Sequence, residues 1–212
     1  MGLQTRKSFV DDVEIGNYLN QEELKFSIRD DVSDITQSFV DMESIKSVED
    51  LEEVSPIIVK VKVNKEASRK MYSDDTLTTV EVLEVMKGQV DKKEILVFEP
   101  IDINHLEGAD YVNSTDGYNW MNDDEEYILY LRPLKAANYS KDKIVYLPTT
   151  TLFSKYSNSQ KSPVLLDQTK INNCTVKYSE IEANEVLITD YQMLEKFLQL
   201  KDQVIMENYN SL

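Results

Sequence analysis

The chain has one cysteine, one histidine, one tryptophan, five glycines and five prolines among 212 residues. A single thiol, Cys174, excludes an internal disulfide and a thiolate metal cluster. A single imidazole, His105, excludes HExxH zinc centres and every multi-histidine metal site. The glycines stand apart, and no Gly-x-x-x-x-Gly-Lys run is there to cradle a phosphate. No stretch nears the roughly eighteen consecutive apolar residues that a membrane-crossing helix requires. Basic residues are few: 23 Lys and Arg against 39 Asp and Glu give a formal charge of -16. A field of that sign repels phosphodiester backbones and anionic membrane surfaces, so nucleic acid is not an expected partner.

What is present is hydrophobic content of 41%, enough for a sizeable core. Its most informative part lies between Ile57 and Leu147, where short segments bounded by turns alternate apolar with polar residues. Ile57, Val59, Val61 and Val63 share one face of a strand, and Lys60, Lys62 and Asn64 share the other. In Leu77 to Met86 the parity changes between Val82 and Leu83, which one extra residue, a β-bulge, would absorb as the strand bends round a barrel. Lys87-Gly88 then breaks the chain before Glu94-Ile95-Leu96-Val97-Phe98-Glu99, closed by Pro100, so these two strands are expected to form a hairpin. Tyr127 to Leu131 and Ile144 to Leu147 supply further strands, the latter after a polar turn at 138–142.

Outside this rhythm, the first forty residues read as a mobile, acidic leader with a short, weak element around Leu24, Phe26 and Ile28. Ser47 stands where an N-cap would, with Glu49 and Asp50 in the first turn and Pro56 just after, so a short helix runs over Val48, Leu51 and Val54. The Ser- and Asn-rich stretch 154–163 reads as an exposed loop. Asp190 is placed to cap a last helix, about 190–206, in which Tyr191, Leu194, Phe197, Leu198 and Val204 recur at helical spacing and pack on the barrel or close its end. The expected organisation is a leader over 1–43, a barrel over 44–157, and a loop, short strand and helix over 158–212.

Few residues suggest chemistry. Cys174 with His105 is the one thiol pair available for nucleophilic catalysis, and nothing beside Cys174 would depress its pKa. No Gly-x-Ser-x-Gly elbow accompanies His105. The run Asp123-Asp124-Glu125-Glu126 raises carboxylate catalysis or a weak calcium site, but adjacent residues cannot span a sugar, and the ligand spacing around Gly117 does not fit an EF-hand. No catalytic residue, metal ligand or cofactor is therefore assigned. The long stretch from Ile101 to Glu126 carries Tyr111, Tyr118 and Trp120. Aromatic side chains on a barrel loop can form a protein-binding hot spot, and Trp120 can equally fold back to cap the barrel.

The order Thr79-x-Glu81-Val82-x-x-Val85-x-Lys87-Gly88, then Ile95-x-Val97, Glu125-Glu126-Tyr127-x-Leu129-Tyr130-Leu131 and Tyr146-Leu147-Pro148, resembles the OB-fold domain of exported Gram-positive bacterial proteins, often lipoproteins. These are related to tissue inhibitors of metalloproteinases and netrin modules. Metalloproteinase inhibition is not implied, because the animal inhibitors use an N-terminal cysteine and several disulfides that this chain lacks. The fold class expected is α+β, mainly β: a small antiparallel, OB-like barrel with a short helix before it and a C-terminal helix. The resemblance implies a non-enzymatic, secreted or lipid-anchored module that binds an unidentified protein. Its signal sequence and lipid anchor are expected on a segment preceding Met1, since Met1-Gly2-Leu3-Gln4-Thr5-Arg6-Lys7 has no apolar stretch behind it. The competing readings are a hydrolase using carboxylate or Cys/His chemistry and an intracellular, cytoplasmic interaction protein.

Overall fold

A computed structural model describes residues 10–19, 21–29, 39–64, 69–72, 74–106, 108–134, 145–159 and 161–209. The beginning of the leader, Ile144 and the turn at 138–142 lie outside the described residues.

Five strands close on themselves: β3 (Ile57–Lys62), β5 (Asp75–Lys87), β6 (Glu94–Glu99), β10 (Val145–Pro148) and β9 (Glu126–Pro133), which returns to β3. The barrel is mixed, since β10 runs parallel to β6 while the other four pairings are antiparallel. The sequence leads one to expect a wholly antiparallel ring, and arithmetic forbids it here. Strand directions can alternate round a closed ring only when the strand number is even, so five strands force one parallel neighbour. The interior is apolar: Val59, Val61, Val80, Val97, Leu129 and Leu131 belong to one buried cluster.

The parity change in β5 is resolved by bulges. Val61 pairs with Val82, Lys60 with Glu84, Val59 with Val85 and Ile58 with Lys87, so Leu83 and Met86 are the extra residues. Val85 thereby shares the face of Val82, opposite the interior Val59. It remains exposed because β5, at 13 residues, runs on past the end of its pairing with β6 at Glu81. Gly88 turns the chain with φ +82, and a Cβ there would lie 2.4 Å from the Pro56 carbonyl oxygen.

The barrel's outer wall is also covered. Ser47 caps α2 (Val48–Val54) in a capping box with Asp50. With α4 (Tyr191–Tyr209), this helix packs on Ile58, Ile128, Tyr130 and Tyr156. Asp190 accepts a hydrogen bond from the Met193 amide at 2.9 Å, at the start of α4. The buried stripe of α4 is Phe197, Leu200 and Val204, with Met193 and Leu194 at its edge; Tyr191 and Leu198 face solvent. The helix thus lies along the flank of the barrel. Part of the stretch read as an exposed loop is instead β11 (Lys155–Ser157), buried and paired with β9.

A second sheet accounts for the rest. The stretch from Ile101 onward is largely a hairpin, β7 (Ile101–Leu106) and β8 (Ala109–Thr115). The leader supplies β2 (Lys25–Arg29), parallel to β8, with Leu24 and Phe26 fully buried. It also supplies β1 (Val10–Glu14) and the single turn α1 (Gly16–Leu19), with β1 pairing to β4 (Arg69–Tyr72) on β5. The short helix α3 (Gln168–Asn172) and the parallel pair β12 (Val164–Leu165) and β13 (Leu187–Ile188) close this side. Among the described residues no helix is long and apolar enough to cross a membrane.

Candidate functional site

Two of the three aromatic candidates point inward. After β8 the chain turns at Asp116 and Gly117, both at positive φ, and a Cβ on Gly117 would lie 2.0 Å from the Leu187 carbonyl oxygen. That close approach drives residues 118–121 into the seam between barrel and second sheet. Tyr118 and Trp120 are buried there, while Tyr111 on β8 is half-buried. The Trp120 indole donates to Thr76 Oγ1 at 3.0 Å and packs edge-on against Tyr178, ring centroids 5.6 Å apart. Neither Tyr118 nor Trp120 presents its ring to solvent, and their burial favours the core-capping role over a hot spot.

The seam holds charges as well. Glu99, at the end of β6, accepts hydrogen bonds from Thr78 Oγ1 at 2.5 Å, Tyr118 OH at 2.9 Å and the Met121 amide at 2.8 Å. Lys155, 2% exposed, donates to the Asn119 carbonyl and lies 4.1 Å from the centre of the Tyr118 ring. Burial pulls the Lys155 ammonium down to about 8, with Glu99, Glu185 and Glu125 opposing the fall. Burial and the neighbouring Glu99 carboxylate push the Tyr118 phenol well up. Asn119 completes the network by accepting from Tyr178 OH at 2.7 Å and donating to the Asn184 carbonyl at 2.7 Å. A lysine held near neutrality is chemically suited to nucleophilic work, yet this one is enclosed by protein. In this position it fastens β6, β11 and the end of β8 together.

A second buried group carries almost no mark in the sequence. Arg29, from β2, lies 3.5 Å from Asp75 Oδ1 and 3.7 Å from Asp102 Oδ2, and its Nε donates to Thr115 Oγ1 at 2.8 Å. Burial pushes the Asp75 carboxyl up to about 7. Arg29 opposes the rise, and the Asp102 and Asp74 charges add to it. A charged residue closing an otherwise apolar strand, as Glu99 does, is the one signal available for such groups. Arg29 lacks even that.

Three members of the acidic run 123–126 are engaged by cations. Asp123 pairs with Arg69 at 3.0 Å, Glu125 with Lys161 at 2.6 Å and Glu126 with Lys60 at 2.8 Å. Among the described residues no group of three or more His, Cys, Asp or Glu side chains is arranged to hold a metal ion. His105 Nδ1 lies 2.8 Å from Asp110 on the exposed side of the β7–β8 hairpin. Among the described residues no hydrogen bond joins it to Cys174 or to a serine. A groove of about 260 Å³ runs between the end of β11 and α4, but its lysine, Lys201, is already bound to Glu185 and to the carbonyls of Ser159 and Lys161.

The surface offers a different candidate. Leu83, Val85 and Met86 are 43%, 38% and 36% exposed and adjoin one another on the last five residues of β5. One side of that stretch pairs with β3, and the other has lost β6, whose pairing ends at Glu81 opposite Glu94. No other described strand occupies this edge. It combines unpaired backbone with an apolar strip, the arrangement that accepts an added strand. Comparison with protein-family models and with curated proteins finds nothing that matches this chain.

Proposed function

We propose that the chain is a non-enzymatic protein-binding module on an OB-like barrel, and that it binds through the open end of β5. The apolar strip Leu83, Val85 and Met86 on an unpaired edge carries this reading, because exposed apolar surface beside free backbone is what a docking strand uses. The ring order β3, β5, β6, β10, β9, with its single parallel pairing, supports the OB-like assignment. The closed surroundings of Lys155 and Glu99 and the pairing of Asp123, Glu125 and Glu126 with cations support a binding role over a hydrolase. An exported, lipid-anchored location is part of the proposal and rests on the resemblance described above. The partner surface moves from Tyr118 and Trp120, which are interior, to the β5 edge.

Photo-crosslinking in the native cell envelope tests it. A crosslinking side chain at Val85 should capture a defined protein, and one at Leu106, which is more exposed but sits on the hairpin tip, should not. Equal capture at both positions, or none at Val85, would contradict the assignment.

A further inference from the structure

We infer that the occupant of the β5 edge is a second copy of this chain, added antiparallel so that β5 pairs with β5 across a two-fold axis between Val85 and Met86. The inference rests on the reading of β5 as the binding edge and names its partner. Exposed strand edges are normally guarded by charges and bulges, and this one carries both. Its guards, however, have opposite signs: Glu84 and Lys87 flank the apolar pair Val85 and Met86.

The bulges place Glu84 and Lys87 on one face. Glu84 pairs with Lys60 and Lys87 with Ile58, both on the barrel's outer side, whereas Val85 pairs with the interior Val59. An antiparallel pairing about the 85/86 midpoint sets Glu84 opposite the partner's Lys87, and Lys87 opposite the partner's Glu84. It sets Val85 against the partner's Met86. Two ion pairs and an apolar centre therefore arise from one strand meeting itself, the self-complementarity that a two-fold interface demands. Among the described residues the Glu84 carboxylate has no ion pair or hydrogen bond of its own. Lys87 donates to the Glu52 carbonyl and keeps further N–H donors for a carboxylate. Pairing like signs in any neighbouring register would be repulsive or leave the charges unmatched, so the register is specified by charge as well as by hydrogen bonding.

Charge reversal gives the test. Sedimentation velocity of the full chain should show mass rising with concentration toward twice the monomer. Glu84→Lys alone and Lys87→Glu alone should each weaken association about tenfold or more, because each sets like charges face to face at both ends. An equimolar mixture of the two variants should recover it, since the edge with two lysines on one chain then meets the edge with two glutamates on the other. Circular dichroism on each variant checks that the barrel is intact. A wild-type chain that stays monomeric to about 1 mM, or a mixture no better than its components, would overturn the inference. If the chain is monomeric while a crosslinker at Val85 still captures another protein, the second copy is wrong and the binding edge stands; if Val85 captures nothing, both fall.

Discussion

Asp75 keeps its carboxylate inside the protein, 1% exposed, with neither oxygen hydrogen-bonded. Its nearest cation, Arg29, is at ion-pair distance and is shared with Asp102. Burial lifts the folded pKa from an ordinary value of about 3.9 to about 7. A carboxyl raised in the folded state favours folding when protonated. Its contribution is complete below about pH 4 and is lost as pH climbs toward 7, a loss of at most roughly 4 kcal/mol. Asp75→Asn removes that dependence. The variant should be more stable than wild type at pH 8, by about 1–3 kcal/mol in urea unfolding, and no more stable at pH 4. An unchanged slope of stability between pH 4 and 7 would show that Asp75 is not the group responsible.

At the scale of elements, Lys155 and Glu99 decide how β11 and β6 are held to the second sheet. Removing one member of a buried charge group leaves the other uncompensated, which costs about 3–5 kcal/mol, whereas removing both costs much less than the sum. Lys155→Met and Glu99→Gln should each destabilise by about that amount, and the double variant should recover at least about 1 kcal/mol of the sum in denaturant unfolding. Strict additivity would mean that the two charges do not support one another. The same elements show how far the sequence could be read. The alternation in β3 and the cap at Ser47 are local signals, and they place a strand and a helix correctly. The change of phase at Leu83 announces a bulge, because side-chain parity is a property of the strand alone. By contrast β2, β8 and β11 are short and polar in composition, and they are strands because of what they pair with. Lys155 gives no local sign of burial: its neighbours Ser154 and Ser157 look like a solvated loop. Leu198 carries the helical period yet faces water, on the side of α4 away from Phe197, Leu200 and Val204.

At the scale of the whole molecule, buried charged groups sit in seams beside the apolar cores, and an apolar strip lies on the surface at the end of β5. The charged seams join barrel to second sheet, and the strip on β5 stays exposed. An acidic surface, at a formal charge of -16, discourages non-specific association between copies, so any pairing depends on local matching. The aromatic residues most visible in the sequence, Tyr118 and Trp120, are buried at a seam, while Leu83, Val85 and Met86 are the exposed residues on which the proposed binding role rests.

Amide hydrogen exchange, followed from dilute to concentrated protein, measures that division directly. For the amides of 83–87 that face away from β3, the expected result is fast exchange in dilute solution and protection at high concentration, with the barrel amides around Val59, Val61 and Leu129 protected throughout. Protection appearing instead over 118–121, or an edge that exchanges at one rate at every concentration, would contradict it.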